Sequence, residues 1–184
     1  MQTHTPHPKL KPYLRFYPLF KKAYDLALYA HRDQKRKTGA HYMTHIDAVI
    51  LGTVRILDTA NISEERFFLT CLCVAALHDV VEDNPETNEE YVLAALWEGL
   101  EVTQANSDII AQIMAGLYCI TKLSTDASYV TYILRVLRER SSVVVKLADL
   151  THNLSDQTNK DKKDKYQLAH YVLSQINLET GSPK

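Results

Sequence analysis

Along most of this chain apolar residues recur at the three- and four-residue steps of a helical face, and no alternating strand pattern of useful length appears apart from Ser142-Val143-Val144-Val145. The pattern predicts helices near 17–33, 43–58, 63–82, 87–99, 104–122, 126–139, 141–154 and 162–177, joined by short turns. The valine run continues without a break into Asp149-Leu150-Thr151-His152-Asn153-Leu154, so its length and helical neighbours favour a buried helix over a strand. Ser63 reads as an N-cap, with Glu64 and Glu65 in the first turn behind it. The stretch 67–77 that follows is apolar almost all round, which predicts a central, buried helix. Asn84 and Pro85 break the chain, and Thr87-Asn88-Glu89-Glu90 has the form of a capping box opening the next helix. The mixed charge run from Lys160 to Lys165 reads as a solvated helix start.

A length of 184 residues suits one all-α domain, 1–184, with a core over about 15–178. The formal net charge of -1 gives no electrostatic indication of a nucleic-acid partner. No apolar run reaches bilayer length, and the N-terminus lacks the apolar stretch of a secretory signal. Cys71, Cys73 and Cys119 are an odd number inside apolar segments, which implies reduced, buried thiols and a cytoplasmic setting rather than a cysteine-based zinc site. Neither a nucleic acid nor a membrane is expected as a partner.

The candidate chemistry lies in Leu77-His78-Asp79-Val80-Val81-Glu82-Asp83. On a continuous helix His78 and Glu82 stand i,i+4, and Asp79 stands i,i+3 from Glu82 and i,i+4 from Asp83, so their side chains share a surface. An imidazole crowded by three carboxylates calls for something positive among them, and a divalent metal is the simplest candidate. Read alone, the same residues are equally compatible with a frayed helix end and solvated acids. Lys146 and Asp149 are further charges inside an apolar run, where charge is costly. A lone aspartate there is more often a salt-bridge partner than a ligand.

Three stretches taken together, Ala30-His31-Arg32-Asp33-Gln34-Lys35-Arg36-Lys37-Thr38-Gly39-Ala40-His41-Tyr42-Met43-Thr44-His45, Ala76 to Asp83, and Val145 to Leu154, resemble the hydrolase domain of the Rel/SpoT family. These are HD-type metal phosphohydrolases acting on ppGpp and pppGpp. With no synthetase or regulatory region beside the motifs, the layout is similar to that of the small alarmone hydrolases, the metazoan SpoT homologue among them. The resemblance implies an all-α HD-domain bundle with a buried metal site, held by His45, His78, Asp79 and Asp149. It implies Mn²⁺, although two imidazoles and two carboxylates also suit other divalent transition metals. Glu82 and Asp83 match the family's acidic pair, expected to orient or deprotonate water and manage the leaving-group proton. Arg36, Lys37 and Thr38 match the nucleotide-binding loop, with Arg36 on the base and Lys37 on phosphate. Asn153 matches a ribose-contacting asparagine. The implied reaction is attack of metal-bound water on the phosphorus at the ribose 3′ oxygen, giving GDP or GTP and pyrophosphate.

Departures from the family pattern bear on substrate more than on chemistry. The family's Pro-Tyr-Ile-x-His-Pro is His41-Tyr42-Met43-Thr44-His45-Ile46 here, Ala40 replaces a common acid, Thr38 replaces serine, and Ser155 stands where arginine is frequent. Two rivals therefore stand beside the expectation. One is an HD phosphohydrolase for another nucleotide, such as an adenosine alarmone, NADPH or a nucleoside monophosphate. The other is a non-catalytic alarmone-binding or antitoxin protein. His31 is expected at a helix end, Tyr129, Tyr132 and Tyr166 in packing, and His152 is expected to point away from Asn153. His41 reads as a possible polar contact at a pocket rim, and Lys122 as either a phosphate ligand or a helix C-terminal cap.

Overall fold

The apolar stretch 67–77 forms the axis of the molecule. In this computed structural model, which describes residues 4–84, 86–156 and 158–180, every residue from Cys71 to Leu77 has no exposed surface. In chain order a 3₁₀ turn (Pro8–Leu10) leads into α1 (Lys11–Phe16), α2 (Pro18–Ala30), α3 (Met43–Thr59), α4 (Glu65–Leu77), α5 (Val80–Asp83), α6 (Glu89–Trp97), α7 (Gln104–Ile120), α8 (Tyr129–Val136), α9 (Arg140–Asp156) and α10 (Lys160–Ser174). Among the described residues there is no strand, and Lys35 and His41 form an isolated antiparallel bridge. The expected all-helical architecture is therefore what forms, and the valine run lies inside α9.

Helix α4 packs against α2, α3, α7 and α9, and α3 runs along α9 with the most extensive contact in the molecule. Two glycines permit close approach. A Cβ on Gly52 of α3 would stand 3.1 Å from the Ala148 Cβ of α9, and one on Gly116 of α7 would meet Ser141 Oγ at 2.6 Å and Val74 Cγ2 at 2.8 Å. A main core joins α2, α3, α4, α6 and α7. A second core is built from Tyr132, Ile133 and Val136 of α8, Val143, Leu147 and Leu150 of α9, and Ala169 and Leu173 of α10.

Three expectations are corrected. The helix predicted over 63–82 is not continuous; α4 ends at Leu77, and His78-Asp79 form a turn before α5. Its N-cap is Glu64, which makes no side-chain cap bond, and not Ser63. The pattern predicts nothing helical before 17, yet Pro8, Pro12 and Pro18 each open a helical segment at its first or second position. Proline is favoured there because its missing N–H would be unpaired anyway and its φ suits a helix. The capping-box region does cap α6, through Asn88, whose side chain accepts from Tyr91 N at 2.9 Å. Thr87 instead is buried and donates to Val80 O at 2.9 Å. The break expected at Pro85 lies outside the described residues. Asn159 caps α10 by accepting from Lys162 N at 3.0 Å, and the charge run that follows is exposed.

The N-terminal segment is tied down by one buried aspartate. Asp47 of α3 accepts from Tyr24 Oη at 2.6 Å, from His7 N at 2.9 Å and from His4 Nε2 at 3.1 Å. Leu10 is buried beneath it in the main core.

Candidate metal centre

The break after Leu77 places the two adjacent residues His78 and Asp79 toward one point. On an unbroken helix neighbours in sequence diverge by about 100° and do not share a target. Here Asp79 adopts φ −104°, ψ −5°, the sparsely used bridge region in which many active-site residues sit. The His78 ring donates from Nδ1 to Ala75 O at 2.9 Å. A side chain thus takes a carbonyl near the helix end, as local side-chain bonds that compete with helix do.

Four side chains from three helical segments converge. His45 comes from the first turn of α3, His78 and Asp79 from the turn after α4, and Asp149 from the middle of α9. His45, His78 and Asp79 present ligand atoms that all lie within 4.8 Å of one another. His78 Nε2 stands 3.0 Å from Asp79 Oδ2, and His45 Nε2 stands 3.4 Å from the same oxygen. The two Nε2 atoms are 3.3 Å apart. Asp149 Oδ1 adds a fourth donor, 3.3 Å from His45 Nε2 and 3.8 Å from His78 Nε2. His45, His78 and Asp149 are almost fully buried.

This donor set fits a divalent cation. Because His78 Nδ1 carries the proton given to Ala75 O, a neutral His78 turns a lone pair at Nε2 toward His45 and two carboxylates. Lone pairs so placed repel unless a proton or a cation sits among them. Ligand bonds of about 2.1 Å separate neighbouring donors around one ion by roughly 3 Å, the spacing seen here. Mixed imidazole and carboxylate donors suit the divalent transition metals as a class.

The electrostatics carry the same information. Burial pushes the His78 imidazole down, but Asp79 and Asp149 outweigh it and raise its pKa to about 9. Burial raises the Asp79 carboxyl, and His78 and His45 more than reverse this, holding it well below the usual carboxylate range. Asp149 is likewise held low against burial, by Lys146 first and then the two histidines. The two carboxylates thus favour positive charge among these groups.

A second layer of side chains orients the donors. Tyr42 Oη donates to Asp79 Oδ2 at 2.7 Å, Lys146 Nζ to Asp149 Oδ2 at 2.7 Å, and Asn153 Nδ2 to Asp149 Oδ1 at 2.6 Å. The His45 ring meets His152 Nδ1 through its own Nδ1 at 2.9 Å. His152 therefore does not point elsewhere, as expected from the sequence, but faces the cluster. Its i,i+3 spacing from Asp149 was the available signal. Nothing in the position of Tyr42 along the chain points to Asp79.

The candidate nucleotide-binding residues gather beside the cluster. Arg36 reaches Asn153 Oδ1 at 3.3 Å and Asp156 Oδ2 at 3.2 Å, with its guanidinium 6.0 Å from the Tyr42 ring centre. Arg36, Lys37 and Thr38 line one cleft of about 320 Å³ together with Tyr42, Asn153 and Asp156, with Lys162 and Tyr166 of α10 closing it. The loop turns at Gly39, whose φ of +85° favours glycine. Gly39 N donates to Arg36 O at 2.8 Å and Arg36 N to Ala40 O at 2.8 Å.

Glu82 and Asp83 are held by different neighbours. Glu82 accepts from the backbone N–H of Lys122 at 3.1 Å, and Asp83 accepts from Gln34 Nε2 at 2.7 Å. Glu82 is open to solvent on one side yet partly desolvated. Desolvation raises its carboxyl above the ordinary range, the Lys122 N–H and Lys146 oppose this, and Asp79 and Asp83 add to it. His31 ends α2, lies 2.5 Å through Nδ1 from Gln34 Oε1, and stacks on Tyr42 with ring centres 4.7 Å apart. Tyr132 is buried and donates to Ile120 O at 2.6 Å, a packing role.

No family model matches the chain. It is 27% identical over 167 residues to a GTP pyrophosphokinase of Myxococcus xanthus, covering 84% of this chain and 19% of that protein. It is 26% identical over 161 residues to the bifunctional (p)ppGpp synthase/hydrolase SpoT of Escherichia coli strain K12, again covering 84% of this chain and 19% of that protein. A guanosine-3′,5′-bis(diphosphate) 3′-pyrophosphohydrolase of Spiroplasma citri is 30% identical over 144 residues, 72% of this chain and 16% of that protein. The matched part thus spans less than a fifth of the length of these curated relatives. The Escherichia coli protein's name joins synthesis and hydrolysis of (p)ppGpp, and the similarity of these relatives supports the Rel/SpoT resemblance.

Proposed function

We propose that this chain is a metal-dependent guanosine-3′,5′-bis(diphosphate) 3′-pyrophosphohydrolase with an HD-type site, converting (p)ppGpp to GDP or GTP and pyrophosphate. The observation that carries the reading is the convergence of His45, His78, Asp79 and Asp149, with one oxygen of each carboxylate 3.0–3.8 Å from both imidazole Nε2 atoms. Pyrophosphohydrolase relatives support the reaction class. A divalent cation at these four residues, Mn²⁺ by resemblance, supplies Lewis-acid polarisation of the phosphoryl oxygen and makes water acidic enough to react near neutral pH.

The protein's own groups supply the rest. Tyr42, Lys146 and Asn153 hold the two carboxylates in register. Arg36 is pre-oriented by Asn153 and Asp156 at the cleft, where its planar cation can stack on a purine, and Lys37 provides a point charge for phosphate. Glu82, with its raised pKa, accepts the proton of the attacking water, and Asp83 assists the proton balance at the rim. The water oxygen joins the phosphorus bonded to O3′, the P–O3′ bond breaks, and O3′ takes up a proton.

The test is product analysis with Mn²⁺ and ppGpp. Pyrophosphate and GDP are expected, and His78→Ala or Asp79→Ala is expected to lower turnover by about 10³-fold or more, the several kcal/mol a catalytic metal contributes. Unchanged turnover in both variants contradicts the assignment. Tight ppGpp binding without turnover supports a sensor instead.

A further inference from the structure

We propose that His152 is a positioning residue that fixes the tautomer of His45, an inference that rests on the metal-centre reading above. His45 turns Nε2 toward His78, Asp79 and Asp149, so its cation-binding lone pair has to be on that nitrogen. A neutral imidazole offers a lone pair at Nε2 only when Nδ1 carries the proton. That Nδ1–H is buried with a ring that is 1% exposed, and it needs an acceptor. The group in reach is His152 Nδ1 at 2.9 Å, with ring centres 4.9 Å apart. His152 must then keep its own proton on Nε2. Half-buried, it lines a groove of about 730 Å³ between α3 and α9, with Thr44, Arg55, Thr151 and Ser155, where solvent reaches the ring.

The four donors differ in how they are held. His78 uses a backbone carbonyl, and the carboxylates have Tyr42, Lys146 and Asn153. Among the described residues, His45 Nδ1 has the His152 side chain as its partner. Without it, His45 either leaves Nδ1–H unpaired or moves its proton to Nε2 and loses the lone pair.

The experiment is calorimetric titration of chelator-treated chain with Mn²⁺, with helicity followed by circular dichroism. His152→Leu is expected to weaken Mn²⁺ binding 10- to 100-fold, the range for loss of an orienting partner. His152→Asn, whose amide oxygen stands near the Nδ1 position, is expected to recover most of that loss, and His152→Gln, whose polar end stands nearer Nε2, is not. Wild-type affinity in a folded His152→Leu overturns the proposal. If His152→Leu fails to fold, the Asn and Gln variants decide: tighter binding by Asn supports it, and equal affinities overturn it. His78→Ala separates the two readings. If it too binds Mn²⁺ like the wild type, the metal centre itself is wrong; if it alone loses binding, only the role of His152 is.

Discussion

The proposed centre is tested one residue at a time, through the side chains that hold its donors. Tyr42 spends its hydroxyl on Asp79 while its ring stacks on His31, so Tyr42→Phe removes one bond and keeps the packing. Metal affinity in that variant is expected to fall 10- to 100-fold, measured by titration with Mn²⁺. Glu82→Gln is expected to lower kcat by about 10²- to 10⁴-fold with little change in metal affinity, because it removes a proton acceptor and no ligand. Unchanged kcat would leave Glu82 as a surface group tied to Lys122. The four candidate ligands come from the resemblance of three ordered motifs to the Rel/SpoT pattern; residue type and spacing alone single out only His78 and Asp79. Their orienting partners were not legible in the sequence. Tyr42 finds Asp79 across 37 positions, a distance no periodicity spans. Lys146 stood out as a charge in a buried run, and its partner Asp149 was three positions away, but the pairing itself needed the fold.

Helices and turns explain the rest of the placement. The interruption after Leu77 was invisible to a hydrophobic pattern, because His78 and Asp79 fall at positions a continuous helix also accommodates; it is the convergence of side chains on one point that disfavours the unbroken form. The helical N-terminus was likewise hidden, since three early prolines signal stops when read without their position in the helix. By contrast α4 and α9 were legible, since runs apolar on every side have few alternatives to burial. Helix packing also yields tests. Gly116→Val puts a side chain where a Cβ already meets Ser141 and Val74 inside 3 Å. It is expected to cost about 1–3 kcal/mol in urea unfolding, more than any gain in helix propensity returns. Asp47→Ala leaves Tyr24 Oη and His7 N without their acceptor. Stability is expected to fall by about 1–3 kcal/mol, with faster amide exchange at Lys9 and Leu10.

On the proposed metal centre, binding and folding are expected to be coupled across the bundle, because the candidate ligands lie on α3, on α9 and in the turn after α4. A cation that joins them holds together the elements that pack most closely. At a hundredfold excess over Kd it is expected to stabilise the fold by about 2.7 kcal/mol, roughly 5–10 °C in Tm for a chain of this size. A chelator should reverse the shift, and His45→Ala should abolish it. If the proposed nucleotide occupies the cleft lined by Arg36, Lys37 and Asn153, substrate and metal are expected to bind more tightly together than apart.

The most direct test is an anomalous-scattering map from Mn²⁺-loaded crystals, collected at the manganese edge. A single strong peak is expected within about 2.0–2.3 Å of His45 Nε2, His78 Nε2, an Asp79 oxygen and an Asp149 oxygen. A peak elsewhere, or none among these four side chains at saturating Mn²⁺, contradicts the metal centre and with it the hydrolase.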